Sequence, residues 1–174
     1  MKKAASVFLR AQITAQDVDL LIQWLEDPQA TRYLNEESCA ADELRSLLRS
    51  VPEPLYGMRL SREGRFCIAC GEDGSAVGFV RLVRCGAAGE YEIVFAVGRT
   101  QLWGNGYGSA AVRAAVNIAF FELRASRIIA NIYAENLRSM AVVRACGFVC
   151  ERGDGPLHRY VLTDRMMLDA LLHR

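Results

Sequence analysis

A glycine-rich segment, Trp103-Gly104-Asn105-Gly106-Tyr107-Gly108-Ser109, limits the choice of fold for this chain most strongly. It follows an apolar run, Tyr91–Val97, that predicts a strand, and it opens a stretch rich in Ala and Val that predicts a helix over 106–123. Such a loop presents backbone N–H groups at the positive end of a helix dipole, where glycine permits close approach of a ligand. The segment therefore indicates either a site for a pyrophosphate or a plain flexible connector.

Two common nucleotide sites do not fit this segment. In a G-x-G-x-x-G dinucleotide motif the third glycine would fall on Ser109, and six residues separate Val97 from Gly104 where that motif has a tight turn. A P-loop is excluded because no Gly-Lys-Ser/Thr follows. If the segment binds a pyrophosphate, the ligand must therefore belong to another class.

Hydrophobic periodicity predicts the remaining elements. Thr14 is placed to cap the first helix, and glycine turns at 71–74 and 86–89 indicate an antiparallel meander. The tail 158–172 predicts a hairpin around Thr163-Asp164-Arg165, with a helix from Met166 as the alternative. The predicted helices are 15–26, 40–50, 106–123 and 137–146, and the predicted strands are 7–10, 65–70, 76–84, 91–97, 127–133 and 148–151.

These elements predict one α/β (α+β) domain over residues 1–174. A β-α-β unit follows the antiparallel meander, so the sheet should be mixed, mostly antiparallel, with six to seven strands and about four flanking helices. A net charge of +1 gives no electrostatic support for nucleic-acid binding. No apolar run approaches the ~20 residues of a membrane span, and Arg10 interrupts any signal-peptide core, so we expect a cytoplasmic protein without a membrane partner.

The six cysteines are expected to be reduced thiols. Cys67 and Cys70 form a C-x-x-C, but residues three apart on a strand point to opposite faces, and no second such pair exists. With only two histidines, His158 and His173, the sequence predicts no metal site.

The glycine segment resembles the Arg/Gln-x-x-Gly-x-Gly/Ala motif of the GNAT acetyltransferases, with Gly106 and Gly108 in the two glycine positions and Trp103 where Arg or Gln is usual. Trp-Gly-x-Gly-Tyr is similar to the branch that acetylates ribosomal proteins (RimJ/RimL-type). Asn136-Leu137-Arg138-Ser139 through Gly147-Phe148 resembles the family's Asn-x-x-Ser…Gly-Phe block, and residues 9–34 resemble the N-terminal half of that branch. The resemblance implies the GNAT fold and acetyl-CoA as cosubstrate, without a metal.

The resemblance also implies a cofactor site. In the family, the strand before the glycine loop carries a bulge, separates from the next parallel strand and pairs with the pantetheine arm. Of Arg99, Arg113, Arg138 and Arg144, the last is the preferred contact for the CoA phosphates. The implied cofactor-binding residues are Phe95, Ala96, Val97, Gly104, Asn105, Gly106, Tyr107, Gly108, Ser109, Asn136 and Arg144.

Acetyl transfer to an amine requires a proton acceptor for the amine and a proton donor for the thiolate. Glu92 is the preferred base, because burial in an apolar strand makes a carboxylate a better proton acceptor near neutral pH. A structural pairing with an arginine is the alternative, and Glu90, Glu135 and His158 are weaker candidates. Val143 stands where many family members have an acidic tyrosine, so Ser139 is the candidate acid; its alternative role is to bond the backbone of the first helical turn.

The acceptor site is expected to form from the first two helices and the C-terminal segment, with Trp24, Tyr33, Tyr56 and Tyr160 as candidates that core packing explains equally well. We expect a protein N-terminus or a small primary amine as acceptor. Aminoglycoside or polyamine acetylation is the alternative, for which dispersed acids such as Glu36 and Glu37 leave room, and a non-catalytic CoA-binding module is a third. The sequence leaves both a monomer and a homodimer open.

Overall fold

A single mixed sheet of seven strands organises the computed structural model, which describes residues 5–34 and 40–172. The strands are β1 (Val7–Arg10), β2 (Gly64–Gly71), β3 (Ala76–Arg84), β4 (Glu90–Val97), β5 (Arg127–Tyr133), β6 (Val149–Arg152) and β7 (Leu157–Thr163). They lie in the order β1-β2-β3-β4-β5-β7-β6, and every neighbouring pair is antiparallel except β4 with β5. The predicted mixed, mostly antiparallel sheet is confirmed.

Seven α-helical segments accompany the sheet within the described ranges. They are α1 (Ala15–Glu26), α2 (Pro28–Thr31), α3 (Ala40–Ser50), α4 (Tyr56–Leu60), α5 (Tyr107–Asn117), α6 (Leu137–Ala145) and α7 (Asp164–Leu172). Short 3₁₀ turns lie at Glu53–Leu55 and Thr100–Leu102, and α5 continues through a π turn at Ile118–Glu122. The prediction of about four helices found the long ones, did not include α2 and α4, and gave α7 only as the alternative to a hairpin.

A partly buried ion pair fixes the start of α1 against β1. The predicted cap is confirmed: Thr14 and Asp17 form a capping box, and Arg10 donates to both Asp17 carboxylate oxygens at 2.8 and 2.9 Å. Burial by itself raises the pKa of Asp17, but the bonds from Arg10 and Thr14 outweigh it and hold that pKa below its ordinary value. Asp17 is therefore a charged residue with a structural role.

Two apolar clusters cover the two faces of the sheet. On one face α5 and α6 pack over β3, β4, β5 and β7, with Val112, Ala115 and Val143 fully buried. On the other face α1 and α3 pack over β2 and β3, where Phe66 and Phe79 stack with ring centroids 5.5 Å apart. The sheet is thus held between two helical layers on its β1–β4 side.

The parallel strands β4 and β5 stay together for only a short distance. Their pairing covers Glu90↔Arg127, Tyr91↔Ile128 and Glu92↔Ile129. Beyond these pairs, β4 continues along β3 as far as Val97, and β5 continues along β7 as far as Tyr133. The two strands therefore separate and leave a wedge-shaped gap. The bulge expected in β4 is not seen, since its register with β3 is continuous.

The predicted C-terminal hairpin is wrong. β7 ends at Thr163 and the chain turns into α7, because the Thr163 hydroxyl accepts a hydrogen bond from Met166 N–H (3.2 Å) and caps the helix. Met166 and Met167 then pack against the α5–α6 cluster. The alternative prediction, a helix from Met166 onward, agrees with the structure better than the hairpin does.

The cysteines of the described ranges are unpaired, among them Cys67 and Cys70, both buried. Burial raises the pKa of the Cys67 thiol to about 11. Cys39, His173, Glu36 and Glu37 lie outside the described residues. Within those residues, no helix is both long and apolar enough to cross a membrane, and no three His, Cys, Asp or Glu side chains group as a metal site would require.

Candidate acetyl-transfer site

The gap between the separating strands opens into a cavity of about 710 Å³, here called the β4–β5 cleft. Its walls come from β4, β5, the glycine segment, the start of α6, and α2. The predicted site residues that line it are Tyr33, Glu92, Phe95, Ala96, Val97, Gly104, Gly106, Tyr107, Gly108, Ser109, Asn136 and Ser139. Residues far apart in sequence are thus brought to one cavity by the divergence of two strands.

The backbone of β4 is divided between β3 and the gap. Cys85 N–H donates to Glu90 C=O (3.1 Å) at one end of the β3–β4 ladder, and Gly98 N–H donates to Val77 C=O (3.0 Å) past the other end. Both bonds use even-numbered residues of this stretch. Because bonding alternates along an antiparallel strand and the register is continuous, the odd-numbered residues of β4 turn their N–H and C=O groups towards the gap.

This alternation separates the three backbone positions predicted to hold the pantetheine arm. Phe95 and Val97 are odd-numbered and present their backbone to the cleft, whereas the N–H and C=O of Ala96 belong to the ladder with β3. The C=O of Val97 accepts a hydrogen bond from the indole N–H of Trp103 (2.7 Å). Phe95 is therefore the residue whose backbone is best placed to pair with an extended ligand.

The glycine turn leaves the N-terminus of α5 open. Gly104 (φ 75°) and Gly106 (φ 88°) lie in the left-handed region, and Gly106 is the N-cap and supplies no side-chain bond. The first bond back to the cap runs from Ala110 N–H to Gly106 C=O (3.0 Å). The N–H groups of Tyr107, Gly108 and Ser109 thus precede the first closed turn and have no acceptor within the helix. The turn offers three donors and a positive dipole to an anion.

The guanidinium of Arg138 lies beside the glycine turn. It stacks on the Trp103 ring, 3.7 Å from the ring centroid, and both residues line the cleft. Trp103 occupies the position where the motif that it resembles has Arg or Gln, and a cation from α6 lies against its ring. The side chain of Asn105 donates to the C=O groups of Leu102 and Trp103 and so supports the loop from outside the cleft lining.

The start of α6 presents Asn136 and Ser139 to the cleft. Asn136 is the N-cap, and its Oδ1 accepts from Ser139 N–H (3.1 Å), which leaves the Nδ2 donor for a ligand. Within the described residues, the Ser139 hydroxyl makes no hydrogen bond to the first helical turn. Its alternative, purely structural role therefore has no support in this geometry.

Glu92 is half-buried and lies where β4 and β5 part. Its Oε1 accepts a hydrogen bond from Asn131 Nδ2 (3.1 Å), and both side chains line the cleft. The Cys85 thiol lies close by. Its pKa is raised mainly by burial and then by the negative charges of Glu92 and Glu90. A carboxylate therefore stands at the apex of the gap, with Oε2 free of hydrogen-bond partners among the described residues.

Like Asn105, the predicted site residues Arg144, Tyr160 and Trp24 lie outside the cleft lining. Tyr160 is 0% exposed, and its hydroxyl accepts from Arg144 (2.7 Å), so neither residue lines the cavity. Trp24 is buried against Gly98, where a Cβ would lie 2.0 Å from Trp24 Cδ2. These side chains stabilise the walls; Tyr56, also buried, does not line the cleft either.

Sequence reasoning missed Asn131 and α2. Asn131 interrupts the apolar run Ile128–Ile132 of β5, and a polar residue inside such a strand is a signal that could have been used. Gln29 and Arg32, on or just after α2, line the cleft beside Tyr33. Pro28 opens this helix, and proline at a first helical position is a signal for α2 that could have been used.

Comparisons with known proteins agree with this geometry. The family model described as an acetyltransferase (GNAT) domain matches residues 7–149. An uncharacterized N-acetyltransferase p20 from Bacillus licheniformis is 27% identical over 167 residues, covering 90% of this chain and 85% of that protein.

Solved structures share the fold. A spermidine N-acetyltransferase from Vibrio cholerae, in complex with CoA and spermine, superposes with a TM-score of 0.76 at 18% identity, covering 94% of this chain and 98% of the other. An aminoglycoside acetyltransferase in complex with coenzyme A and kanamycin gives a TM-score of 0.75 at 20% identity, covering 95% and 99%. At this identity the likeness concerns the fold. With the family model spanning residues 7–149, this chain belongs to the GNAT family of acetyltransferases and is an acyltransferase enzyme.

Proposed function

We propose that this enzyme transfers the acetyl group of acetyl-CoA to a primary amine by direct attack within a ternary complex. The observation that carries the proposal is the convergence, in one cleft, of an open helix N-terminus, an outward-facing strand backbone and a half-buried carboxylate. The first two features suit a pyrophosphate and an extended amide arm, and the third suits an amine.

Different residues of the chain would hold different parts of acetyl-CoA. The N–H groups of Tyr107, Gly108 and Ser109, with Arg138 beside them, would hold the pyrophosphate. The backbone of Phe95 and the Nδ2 of Asn136 would hold the pantetheine arm. Acetyl-CoA supplies the acetyl group when it is bound.

Two side chains would handle the protons. Glu92 accepts the proton that the amine loses as its nitrogen bonds to the acetyl carbon. Ser139 gives its hydroxyl proton to the sulfur as the carbon–sulfur bond breaks, and it recovers a proton from solvent. Val143 has an aliphatic side chain, so that position supplies no tyrosine-like proton donor.

The charge of the cleft favours an acceptor with one amine over a polycation. Its charged lining residues in the described part of the chain are Arg32, Glu92, Glu135 and Arg138, two of each sign. A polyamine or aminoglycoside carries several positive charges and binds best where carboxylates outnumber cations. We therefore propose a peptide N-terminus as the acceptor, in keeping with the RimJ/RimL-type resemblance of the glycine segment.

A thiol-release assay across matched acceptors tests this proposal. Acetyl-CoA is offered with peptides of varied N-terminal residue, the same peptides with a blocked N-terminus, spermine and kanamycin. We expect release with free peptides and none with blocked ones. Preferential release with spermine or kanamycin would reassign the acceptor, and CoA binding without release from any amine would indicate a non-catalytic CoA-binding module.

A further inference from the structure

A polar chain crosses three strands on the face of the sheet that carries Glu92. Arg159 on β7 donates from Nε to Asn131 Oδ1 (3.4 Å), and Asn131 on β5 donates from Nδ2 to Glu92 Oε1 (3.1 Å). Asn131 and Arg159 are register partners, so the sheet itself brings them together. None of the sequence motifs includes either residue.

From this chain we propose that Asn131 and Arg159 are positioning residues for Glu92. The inference rests on the proposed role of Glu92 as proton acceptor. An amide presents an acceptor on one side and a donor on the other, and a guanidinium only donates. Arg159 therefore fixes the Asn131 amide with its oxygen towards Arg159 and its NH₂ towards Glu92.

This orientation has two consequences for the carboxylate. The Asn131 donor holds Glu92 Oε1, which leaves Oε2 as the oxygen that faces an incoming amine. A hydrogen-bond donor also favours the charged form of the carboxylate that it contacts, and Asn131 is the donor that contacts Glu92.

Other charged and titratable groups surround the carboxylate and must be separated from this effect. Glu90 shares its strand face but is paired with Arg127 on β5 (3.3 Å). Cys85 follows β3, and Arg81 lies along that strand with Glu63 as a partner (3.5 Å). Across the cleft lie Arg32 and Tyr33.

The matched control is on the neighbouring strand. Arg152 of β6 is the register partner of Arg159 and carries the same charge, but it pairs with Asp154 (3.1 Å) rather than with Asn131. Arg152→Gln thus removes one positive charge from the same region of the sheet without touching the Asn131 amide.

The first measurement does not depend on turnover. The carboxyl carbon of Glu92 is followed by ¹³C NMR in protein labelled at glutamate and titrated with acid, the signal being assigned by its loss in Glu92→Gln. We expect the titration midpoint to rise in Asn131→Ala, which removes the donor, and to rise by less in Arg159→Gln, which only frees the amide to turn. It should stay unchanged in Arg152→Gln. In the double variant Asn131→Ala/Arg159→Gln, the midpoint should equal the midpoint of Asn131→Ala alone, because Arg159 acts through Asn131.

The second measurement is the pH profile of kcat/KM. The acidic limb of this profile should move to higher pH, most in Asn131→Ala and less in Arg159→Gln. The KM for acetyl-CoA should stay constant. If Asn131→Ala does not fold, Asn131→Leu keeps the test, since it has a similar volume, adds no charge and removes the hydrogen-bond donor.

Equal midpoints for Asn131→Ala, Arg152→Gln and the unaltered protein would overturn the inference. Additive shifts in the double variant would also overturn it, because they would mean that Arg159 acts on Glu92 directly. An unaltered protein that acetylates no amine would contradict the proposed function alone, since the NMR titration judges Asn131 and Arg159 independently.

Discussion

The glycine turn at one end of the β4–β5 cleft and the Glu92–Asn131 contact at its apex are built from different interactions. The turn is defined by local backbone conformation, with Gly104 and Gly106 at positive φ and the first residues of α5 lining the cleft. The Glu92–Asn131 contact joins residues 39 positions apart and exists only because β4 and β5 pair in one register. The turn should therefore fail when the backbone is altered, and the apex should fail when single side chains are altered.

The largest effect is expected at the apex. Glu92→Gln keeps the shape of the side chain but cannot accept a proton, so kcat at neutral pH should fall by roughly 10²–10⁴ while CoA affinity is retained. The rate should partly recover at high pH, where the amine is already neutral. Steady-state kinetics across pH check this, with Glu90→Gln as the control on the same strand face. A Glu92→Gln enzyme within a few-fold of the unaltered one would assign proton removal to water.

The turn is broken by a β-branched residue. Gly106→Val should weaken CoA binding by roughly a hundredfold or more, because the side chain enters the anion site and resists a φ of 88°. Gly74→Val is a matched control, since Gly74 has a φ of 78° and open space around it in the β2–β3 turn. Calorimetric CoA titrations should separate the two variants even where their melting temperatures fall alike. Equal CoA affinities would place the phosphates elsewhere.

A substitution at Gly108 should affect the glycine turn differently from Gly106→Val. Gly108 lies in the first turn of α5 without a positive φ, and a Cβ there would lie 3.4 Å from Val142 of α6. A larger residue at this position should act by displacing α6 from α5, so a loss of CoA binding should be accompanied by a loss of stability.

A smaller effect is expected from Arg138. Arg138→Gln removes the guanidinium stacked on Trp103 and should weaken CoA binding about tenfold, with a reduced dependence on salt. Arg144→Gln is the control, because Arg144 lies on the same helix but bonds Tyr160 away from the cleft. If Arg144→Gln shows the larger loss of affinity, the sequence-based preference for Arg144 is restored.

Among the variants of the cleft, Ser139→Ala should have the smallest effect on turnover. A free thiol titrates near ~8.5, so a donor to the leaving thiolate matters less as the pH rises past that value. We expect a loss of a few-fold at neutral pH that disappears above pH ~9. A loss that stays constant over the whole pH range would show that Ser139 binds rather than donates.

The scaffold supplies a control that should leave both ends of the cleft untouched. Asp17→Asn breaks the Arg10 pair and should cost about 3 kcal/mol of unfolding free energy, with kcat/KM unchanged. Because the pKa of Asp17 is lower in the folded protein, its contribution is full above the ordinary Asp pKa of ~3.9 and is lost as the pH falls through the folded value. Urea titrations at several pH values should show the two proteins converging in acid.

Local signals explain most of what the sequence predicted. The bounds of β3 and β5 and those of α1 and α3 agree with the predicted ones, because alternation, helical spacing and capping are properties of neighbouring residues. The glycine turn was found for the same reason. The helix α7 was predicted only as the alternative to a hairpin, although Thr163 is a recognisable cap, because its apolar residues also fit a strand.

Contacts across the sheet could not be predicted in this way. Arg138 and Arg144 lie on one helix, and only the rotation of α6 against α5 decides which of them reaches the cleft. The same holds for Tyr160, whose strand could have turned either face outward before the register with β5 was known. Asn131 was missed because its partner is set by the point at which two parallel strands part.

The central claim is that the β4–β5 cleft is a CoA site, and ligand-dependent stability tests it most directly. The melting temperature of the unaltered protein is measured against increasing CoA, NADH and ATP in separate titrations. We predict that CoA raises it progressively, as mass action requires of a ligand that binds only the folded state, and that NADH and ATP do not. Stabilisation by NADH or ATP with none by CoA would contradict the account.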